Sequence, residues 1–315
     1  MLCIPELHAP GRPVVPTKKR GIIGESGASP PRSIRSVMKR YLALIAVLFA
    51  TTSLAADTYS FGVLPQRSPA LTAQYWNPIL DYVGRKAGVV LELGTRKTSL
   101  EYSEAEARGE FDFVYNNHIF APSHAAAGYR VLVRSAGAPI RGQIVVPEAS
   151  PLRSLRDLEG KEIGFPSRNA FAAYAVPMSA LIAAKVEVGV VFGANQEGVM
   201  AQLRAGKIPA AGVNSRVMQE YAAREGFKFR AIWTSEPFLE IPVAVHPRVR
   251  AEVGKAVREA FVRMAADPEG ERILEASAAL IKQPAPLGFV AVRDEDYQNQ
   301  RDTYRAVWRR EGRGE

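Results

Sequence analysis

Cysteine is almost absent from this 315-residue chain, whose only cysteine is Cys3. With no cysteine elsewhere, the chain lacks a disulfide framework, a thiol nucleophile and thiolate ligands for a metal. The sequence also contains no Gly-rich loop ending in Lys-Ser or Lys-Thr, no Gly-x-Ser-x-Gly and no His-Glu-x-x-His. These are the motifs of phosphate loops, serine hydrolases and zinc proteases. We therefore expect neither an enzyme nor a cofactor.

Histidine is also scarce, with only His118, His124 and His246 after residue 56. The first two are six residues apart, which does not place them on one helix face, and the sequence around them offers no nearby carboxylate to complete a metal site. We therefore expect no bound metal, and we interpret His246 as a surface residue at the end of a strand.

No apolar run is long enough to span a membrane, because segment 41–50 supplies ten residues where a spanning helix needs about 20. The basic residues Lys39 and Arg40, directly after Met38, precede this run, and the small residues Ser53 and Ala55 follow it. This order is typical of a secretory signal peptide that is cleaved before Ala56. No cysteine follows the run, so we predict a soluble periplasmic protein without a lipid anchor. The alternative is a short buried core helix.

Positive charge is concentrated before residue 56. The formal net charge is +9, and residues 1–55 hold eight Lys or Arg and two Glu. The rest of the chain carries +3, which is an ordinary solvated surface and does not indicate nucleic-acid binding. Residues 1–37 are rich in Pro, Gly, Ser and Arg, and we interpret them as a disordered extension or a mis-assigned start ahead of the signal peptide at 38–55.

Short apolar strands alternate with helices after the signal peptide, which predicts an α/β fold with largely parallel sheets. A long apolar helix is predicted over 169–185. Segments 106–116 and 203–214 form a weak internal repeat, because in each one the end of a helix is followed by Gly, a strand and Asn. Each half thus delivers an Asn, Asn116 or Asn214, to the carboxyl end of a strand, where ligands bind in open α/β sheets.

The candidate ligand-binding residues lie in loops that follow strands and in most cases precede helices. Amide, hydroxyl and guanidinium groups in such loops can bind a ligand together with the free N–H groups of the next helix. The candidates are Gln66, Arg67, Ser68, Tyr115, Asn116, Asn117, Ser167, Arg168, Asn169, Phe171, Asn195, Gln196, Glu197 and Asn214. Three alternatives remain open: Asn117 is a helix cap, Arg168 is a solvated surface residue, and Phe171 is part of the core.

Several segments resemble the periplasmic substrate-binding proteins of ABC importers, and more narrowly the phosphate/phosphite/phosphonate-binding (PhnD-like) family. The most specific match is 154–165, Ser-Leu-Arg-Asp-Leu-Glu-Gly-Lys-Glu-Ile-Gly-Phe, and others are 61–65, 109–115 and 174–177. The resemblance covers 58–280 and implies the type 2 periplasmic binding fold. It further implies a small, anionic solute held between two lobes, a membrane permease as partner, and a monomer.

The family fold implies two α/β lobes, each a mostly parallel sheet flanked by helices. Residues 56–138 and 240–315 are expected in lobe 1 and residues 139–239 in lobe 2, with hinge segments near 135–143 and 234–242. An alternative function on the same fold is a ligand-sensing partner of a membrane histidine kinase.

The sequence departs from the family where its phosphonate binders carry hydrogen-bond donors. The resemblance places Ala170–Ala173 where those relatives have Ser-Thr-Ser-Gly. Two tyrosines, a histidine and an aspartate of the family are replaced at Ser99, Asn116, Gln196 and Pro209, while Glu197 is kept. Each lost donor is worth about 1 kcal/mol or more. We therefore expect simple alkylphosphonates to bind weakly.

Overall fold

The computed structural model describes residues 56–310 and 312, so the predicted signal peptide and the extension before it lie outside the described residues. In chain order the first elements are β1 (Thr58–Val63), α1 (Pro69–Ala87), β2 (Val90–Gly94), α2 (Ser99–Ala107), β3 (Phe113–Tyr115), two 3-10 turns (His118–Phe120 and Pro122–Ala127), β4 (Arg130–Ser135), β5 (Gly142–Pro147) and a 3-10 turn (Leu155–Leu158).

The second half continues the alternation of strands and helices. Its elements are β6 (Glu162–Phe165), a π-turn (Phe171–Ala175), α3 (Val176–Ala183), β7 (Gly189–Phe192), α4 (Gln196–Arg204), β8 (Ala210–Asn214), α5 (Ser215–Glu225), β9 (Phe229–Thr234), β10 (Pro242–Val245), α6 (Ala251–Arg263), a 3-10 turn (Met264–Ala266), α7 (Pro268–Ile281), β11 (Phe289–Ala291), a 3-10 turn (Asp294–Tyr297) and α8 (Gln298–Arg310). None of these described helices is long and apolar enough to cross a membrane.

The strands form two mixed sheets, and each sheet with its helices is called a lobe here. The six-stranded lobe has the order β11-β4-β10-β3-β1-β2, and the five-stranded lobe has the order β7-β6-β8-β5-β9. The predicted α/β class is confirmed. In each sheet one strand, β1 or β6, is parallel to both neighbours. The strands β10 and β5, which follow the crossings between the lobes, are antiparallel to both of theirs, so the sheets are mixed rather than largely parallel.

The chain crosses between the lobes twice, from β4 to β5 and back from β9 to β10. The two crossing segments pair with each other, because Ile140 and Phe238 exchange both backbone hydrogen bonds at 2.8 Å. This short antiparallel bridge holds the crossings side by side.

Apolar clusters cover both faces of each sheet. In the six-stranded lobe, Phe61 and Phe113 pack under α1 and α6, and Phe120 packs under α8 on the opposite face. The cluster under α8 extends into the five-stranded lobe through Phe171, whose ring centroid is 5.1 Å from that of Tyr304 on α8. The carboxyl-terminal helix therefore joins the cores of both lobes.

The helix predicted over 169–185 is divided into the π-turn and α3. The N–H of Val176 bonds to the carbonyl of Phe171, five residues back. Pro177 follows directly and has no N–H to donate, so the ladder is interrupted at this point and a wider turn forms. The π-turn also packs tightly on its sheet, because a Cβ on Gly212 would lie 2.5 Å from the carbonyl oxygen of Ala173. The absence of a side chain at Gly212 therefore allows the π-turn to pack close against β8.

Candidate functional site

A small cavity, the inter-lobe cavity, lies between the two lobes where strands from both sheets end. Its volume is about 10 Å³, which is room for roughly one water molecule. The residues that line it are Leu64, Gln66, Asn117, His118 and Ile241 from the six-stranded lobe and Ala170, Phe171, Ala172, Ala173, Gln196 and Asn214 from the five-stranded lobe. This lining includes four amide side chains and one imidazole, and it includes no Asp, Glu, Lys or Arg.

Two buried polar groups of the six-stranded lobe line this cavity without a hydrogen-bond partner among the described residues. They are Nε2 of Gln66 and Nε2 of His118. The other ring nitrogen of His118, Nδ1, lies 2.6 Å from Oγ of Ser103 on α2, which fixes the orientation of the imidazole. Burial lowers the pKa of His118 well below its ordinary value, and His124 lowers it further, so the imidazole is neutral at neutral pH.

The five-stranded lobe contributes mainly amides and the backbone of the π-turn. Oε1 of Gln196 accepts a hydrogen bond from the N–H of Asn214 at 3.1 Å, and Oδ1 of Asn214 caps α5 by accepting from the N–H of Arg216 at 3.0 Å. Ser167, in the loop before the π-turn, is buried, and its Oγ has no partner within the described part of the chain. The first N–H groups of a helix have no partner within the helix and can donate to a ligand.

A cluster of four buried charged residues connects the lobes next to the inter-lobe cavity. Arg67 after β1 forms an ion pair with Glu220 on α5. Arg216 at the start of α5 lies 2.9 Å from Glu240, in the crossing segment before β10, and donates to the hydroxyl of Tyr115 at 3.2 Å. We call Arg67, Arg216, Glu220 and Glu240 the inter-lobe charge network. It contains two guanidinium groups and two carboxylates, so its charges balance.

Burial has opposite consequences for the pKa values of the pair at the crossing. It acts to lower the pKa of Arg216, but the charges of Glu240, Tyr115 and Glu220 outweigh it and raise that pKa. Burial also raises the pKa of Glu240, and the adjacent Arg216 opposes this shift. Burial is therefore the largest single influence on the pKa of both groups, and each depends on the other for charge compensation.

A second connection between the lobes involves Glu197 at the start of α4. Its Oε2 accepts from the N–H of Ser68 at 3.2 Å, its own N–H donates to the carbonyl of Gln66 at 3.2 Å, and its Oε1 lies 2.6 Å from Arg224. Ser68 and Asn195 also act as helix caps, since their side chains accept from Leu71 and Gly198. Polar residues at the ends of strands therefore connect the lobes and also cap the helices that follow them.

The structure places other candidates from the sequence outside the inter-lobe cavity. The side chain of Asn116 is buried in the six-stranded lobe, where Nδ2 donates to Glu106 at 2.8 Å and Oδ1 accepts from the N–H of His118 at 3.0 Å. Arg168 is exposed and lies 5.4 Å from the ring of Phe192. The carbonyl of Asn169 accepts from the hydroxyl of Tyr304 at 2.6 Å.

Two further candidates, Asn117 and Phe171, line the cavity and also contact other parts of the protein. Asn117 lines it, and its Nδ2 lies 3.5 Å from Oε1 of Gln300 on α8. Phe171 contributes to the lining, but its ring packs against Phe238 and Tyr304 in the apolar core.

Sequence reasoning missed His118 and three members of the inter-lobe charge network. Arg216 and Glu220 are four residues apart on α5, a spacing that places both on one helix face and that could have marked them as a pair. A carboxylate distant in sequence does contact one of the histidines, because Oε2 of Glu106 lies 2.9 Å from Nδ1 of His124. Within the described ranges, no group of three or more His, Cys, Asp or Glu is placed to hold a metal ion.

Two α/β lobes joined by two crossings, with a polar cavity between them, form the architecture of a two-lobed binding protein. The family model described as "ABC transporter, phosphonate, periplasmic substrate-binding protein" matches residues 61–297. The chain belongs to this family, and it is the solute-binding component of an ABC transporter, which captures a small molecule and delivers it to a membrane permease.

Solved structures with the same fold include several binding proteins. A binding-protein component of a phosphonate ABC transporter from Pseudomonas aeruginosa has a TM-score of 0.68 at 15% identity, over 81% of this chain and 88% of that chain. PhnD1 from Prochlorococcus marinus, in complex with methylphosphonate, has a TM-score of 0.67 at 12% identity, over 82% and 99%. A Xanthomonas citri protein bound to ATP has a TM-score of 0.63 at 17% identity, over 82% and 100%.

Proposed function

We propose that the protein binds a small oxyanion-bearing solute in the inter-lobe cavity and releases it to the permease when the lobes open. The observation that supports this proposal is that polar groups from both lobes converge on one cavity, where Nε2 of Gln66 and Nε2 of His118 have no partner among the described residues. Buried polar groups without a partner are costly, and a ligand that forms hydrogen bonds with them removes this cost.

The lining favours an acceptor-rich ligand. The side-chain nitrogen of Gln66 is a donor only, and the amide groups of Asn117 and Gln196 each carry N–H donors. The backbone N–H groups at the start of the π-turn add further donors, and buried donors of this kind bind oxyanions without a formal positive charge. The described lining has no acidic side chain that would repel an anion.

Hydrogen-bond donors, rather than ligand size, are proposed to separate this protein from phosphonate-binding relatives such as PhnD1 from Prochlorococcus marinus, which is solved in complex with methylphosphonate. The cavity has room for about one water molecule, so any oxyanion-bearing solute requires the lobes to move apart. The family resemblance places Ala170–Ala173 where phosphonate binders carry hydroxyls, so a phosphonate would lose hydrogen bonds here. We predict that calorimetry gives alkylphosphonates a dissociation constant above about 1 µM, or less than about 8 kcal/mol of binding free energy. Nanomolar binding would contradict this.

Closure is proposed to be a hinge motion of the two lobes. We place the lobes at 56–138 with 240–315 and at 139–239, and the hinges near 135–143 and 234–242. The sheet membership of the strands and the Ile140–Phe238 bridge support these boundaries.

The periplasmic family suggests that the chain is exported, and we propose that cleavage before Ala56 removes the signal peptide. N-terminal sequencing of protein recovered from the periplasm should begin at or within one residue of Ala56. Recovery of mature protein that still contains residues 1–37 would contradict this proposal. We also propose that the protein is a monomer without catalytic activity. No feature of the described residues favours the alternative of a histidine-kinase partner.

The binding site is tested by a matched pair of variants. Ligands are first identified by thermal shift with sulfate, phosphate, methylphosphonate and small carboxylates, since a compound that binds only the folded state raises its stability. Gln66→Ala should weaken binding of the compound found by about 10- to 100-fold, the range for a hydrogen bond to a charged group. Gln74→Ala on the exposed side of α1 should leave the affinity unchanged. Equal affinities for both variants would place the site elsewhere.

A further inference from the structure

A second cavity lies within the six-stranded lobe, and we call it the lateral cavity. It has a volume of about 380 Å³, which falls within the range of small-molecule sites. The segment that contains the two 3-10 turns after β3 forms one wall, and α8 forms the other. It shares no lining residue with the inter-lobe cavity, although Ile119 and Phe120, which line it, directly follow His118 along the chain.

We propose that the lateral cavity binds a small organic anion, held by His124, Arg301 and Arg305. The site does not depend on the inter-lobe cavity or on closure of the lobes, because every residue that lines it belongs to the six-stranded lobe. It is therefore a separate site from the transport site.

His124 is oriented by a buried carboxylate. Its Nδ1 lies 2.9 Å from Oε2 of Glu106, which also accepts from Nδ2 of Asn116 at 2.8 Å, and both Glu106 and His124 are buried. His124 lines the lateral cavity, and its Nε2 forms no hydrogen bond with any described residue. The contact with Glu106 fixes the ring through Nδ1 and leaves Nε2 as the ring nitrogen available to a ligand.

Two arginines of α8 face the cavity from one side of the helix, four residues apart. The guanidinium of Arg301 lies 4.6 Å from the centroid of the Phe120 ring, donates to the backbone carbonyl of Asp294 at 2.8 Å and forms an ion pair with the Asp294 carboxylate. Arg305 contacts Asp302 at 3.1 Å through one nitrogen, and its side chain is 47% exposed. Arg301 is therefore held in place, while Arg305 can adjust to a ligand.

The lining determines the ligand class. It includes two arginines and a histidine but no Asp or Glu. The carboxylates that pair with the arginines, Asp294 and Asp302, are not among the lining residues, so the guanidinium groups favour an anion on the cavity side. The rest of the wall is apolar, with Ile119, Pro122 and the ring of Tyr129. A ligand that places a negative group at the arginines and an apolar body against this wall is an organic acid rather than an inorganic ion.

Histidine NMR with benzoate as the probe tests the proposal directly. In ¹⁵N-histidine-labelled protein, benzoate should shift the Nε2 resonance of His124 saturably and leave that of His246 unchanged. Arg305→Ala should weaken this binding by about tenfold, as expected for loss of one charge-assisted hydrogen bond. The matched control is Arg309→Ala, one turn further along α8, exposed and outside the cavity lining, and it should bind as the parent does.

Three outcomes would overturn the proposal. The first is the absence of a His124 shift up to the solubility limit of benzoate. The second is equal benzoate affinity in Arg305→Ala and Arg309→Ala, because the charged wall would then play no part. The third is inorganic phosphate binding to His124 as tightly as benzoate, because the apolar wall would then add nothing. Arg305 is half exposed, so its replacement is compatible with a folded protein, and the test does not depend on a variant of the buried His124.

Discussion

Replacing Glu220 by Gln should open the protein. This carboxylate joins the lobes, because it lies on α5 of the five-stranded lobe and pairs with Arg67 of the six-stranded lobe. Glutamine keeps the size of the side chain and removes its charge. Arg67 then loses its partner in the closed state, whereas in the open state water solvates it.

The magnitude follows from burial. The side chain of Glu220 is 1% exposed and that of Arg67 is 11% exposed, so the pair is shielded from solvent. Removing one partner of a buried pair costs about 3–5 kcal/mol. If opening relieves this cost, the ratio of closed to open molecules falls by roughly 100- to 4,000-fold, since each 1.4 kcal/mol is a factor of about ten.

Single-molecule energy transfer measures this ratio. The only natural cysteine is Cys3, so dyes can be attached at Lys161→Cys and Lys255→Cys, one exposed position in each lobe, with Cys3→Ser as background. Glu220→Gln should move the population towards the longer distance. The matched control is Glu225→Gln on the same helix, whose partner Arg204, at 2.8 Å, lies in the same lobe. Identical distance distributions for parent and Glu220→Gln would refute the reasoning.

Three further predictions concern stability. Burial lowers the pKa of His118 in the folded state, so its contribution to stability should be complete above about pH 6.5, the unfolded pKa, and should be lost as the pH falls below that value. Urea titrations at about pH 7 and 5 should therefore show a smaller loss of stability in His118→Gln than in the parent. Equal losses in the two proteins would contradict this. Tyr304→Phe removes the hydroxyl that donates to the carbonyl of Asn169 and should lower the free energy of unfolding by about 0.5–1.5 kcal/mol in the same titrations; no loss would mean that water replaces this bond. Gly212→Ala places a Cβ 2.5 Å from a backbone oxygen of the π-turn and should lower the free energy of unfolding by about 1–3 kcal/mol, measured by thermal denaturation. In the control Gly254→Ala, the nearest atom to the new Cβ is 3.9 Å away, so its stability should be unchanged or slightly higher.

Local pattern was enough to predict the strand–helix alternation and the polar loops after strands, because both depend on residues close in sequence. The charge network depends on distant partners: Arg67 and Glu220 are 153 residues apart, and no periodicity connects them. The same limit applies to Asn116, whose loop position suggested a ligand contact. Its amide is instead used by Glu106, a helix residue whose burial the polar sequence of α2 did not indicate.

The helix predicted over 169–185 shows a different limit. Its apolar composition is compatible with one regular helix, and the effect of Pro177 depends on the backbone around it. The proline is acceptable near the start of α3, and the bonding of the preceding turn shifts to a wider spacing. A sequence pattern identifies the helix, but it does not determine where the hydrogen-bond ladder changes register.

The position of β10 in the six-stranded sheet has a consequence for the order in which the chain can fold during synthesis. This strand lies between β3 and β4, yet β4 ends at Ser135 and β10 begins at Pro242. The sheet β5 to β9 lies within one continuous stretch of chain, so the ribosome completes all of its strands first. Until Val245 has emerged, β3 and β4 lack their shared neighbour and expose open edges, which are prone to aggregation. A nascent chain of this topology therefore remains incompletely folded through most of its synthesis, and this interval is available to chaperones.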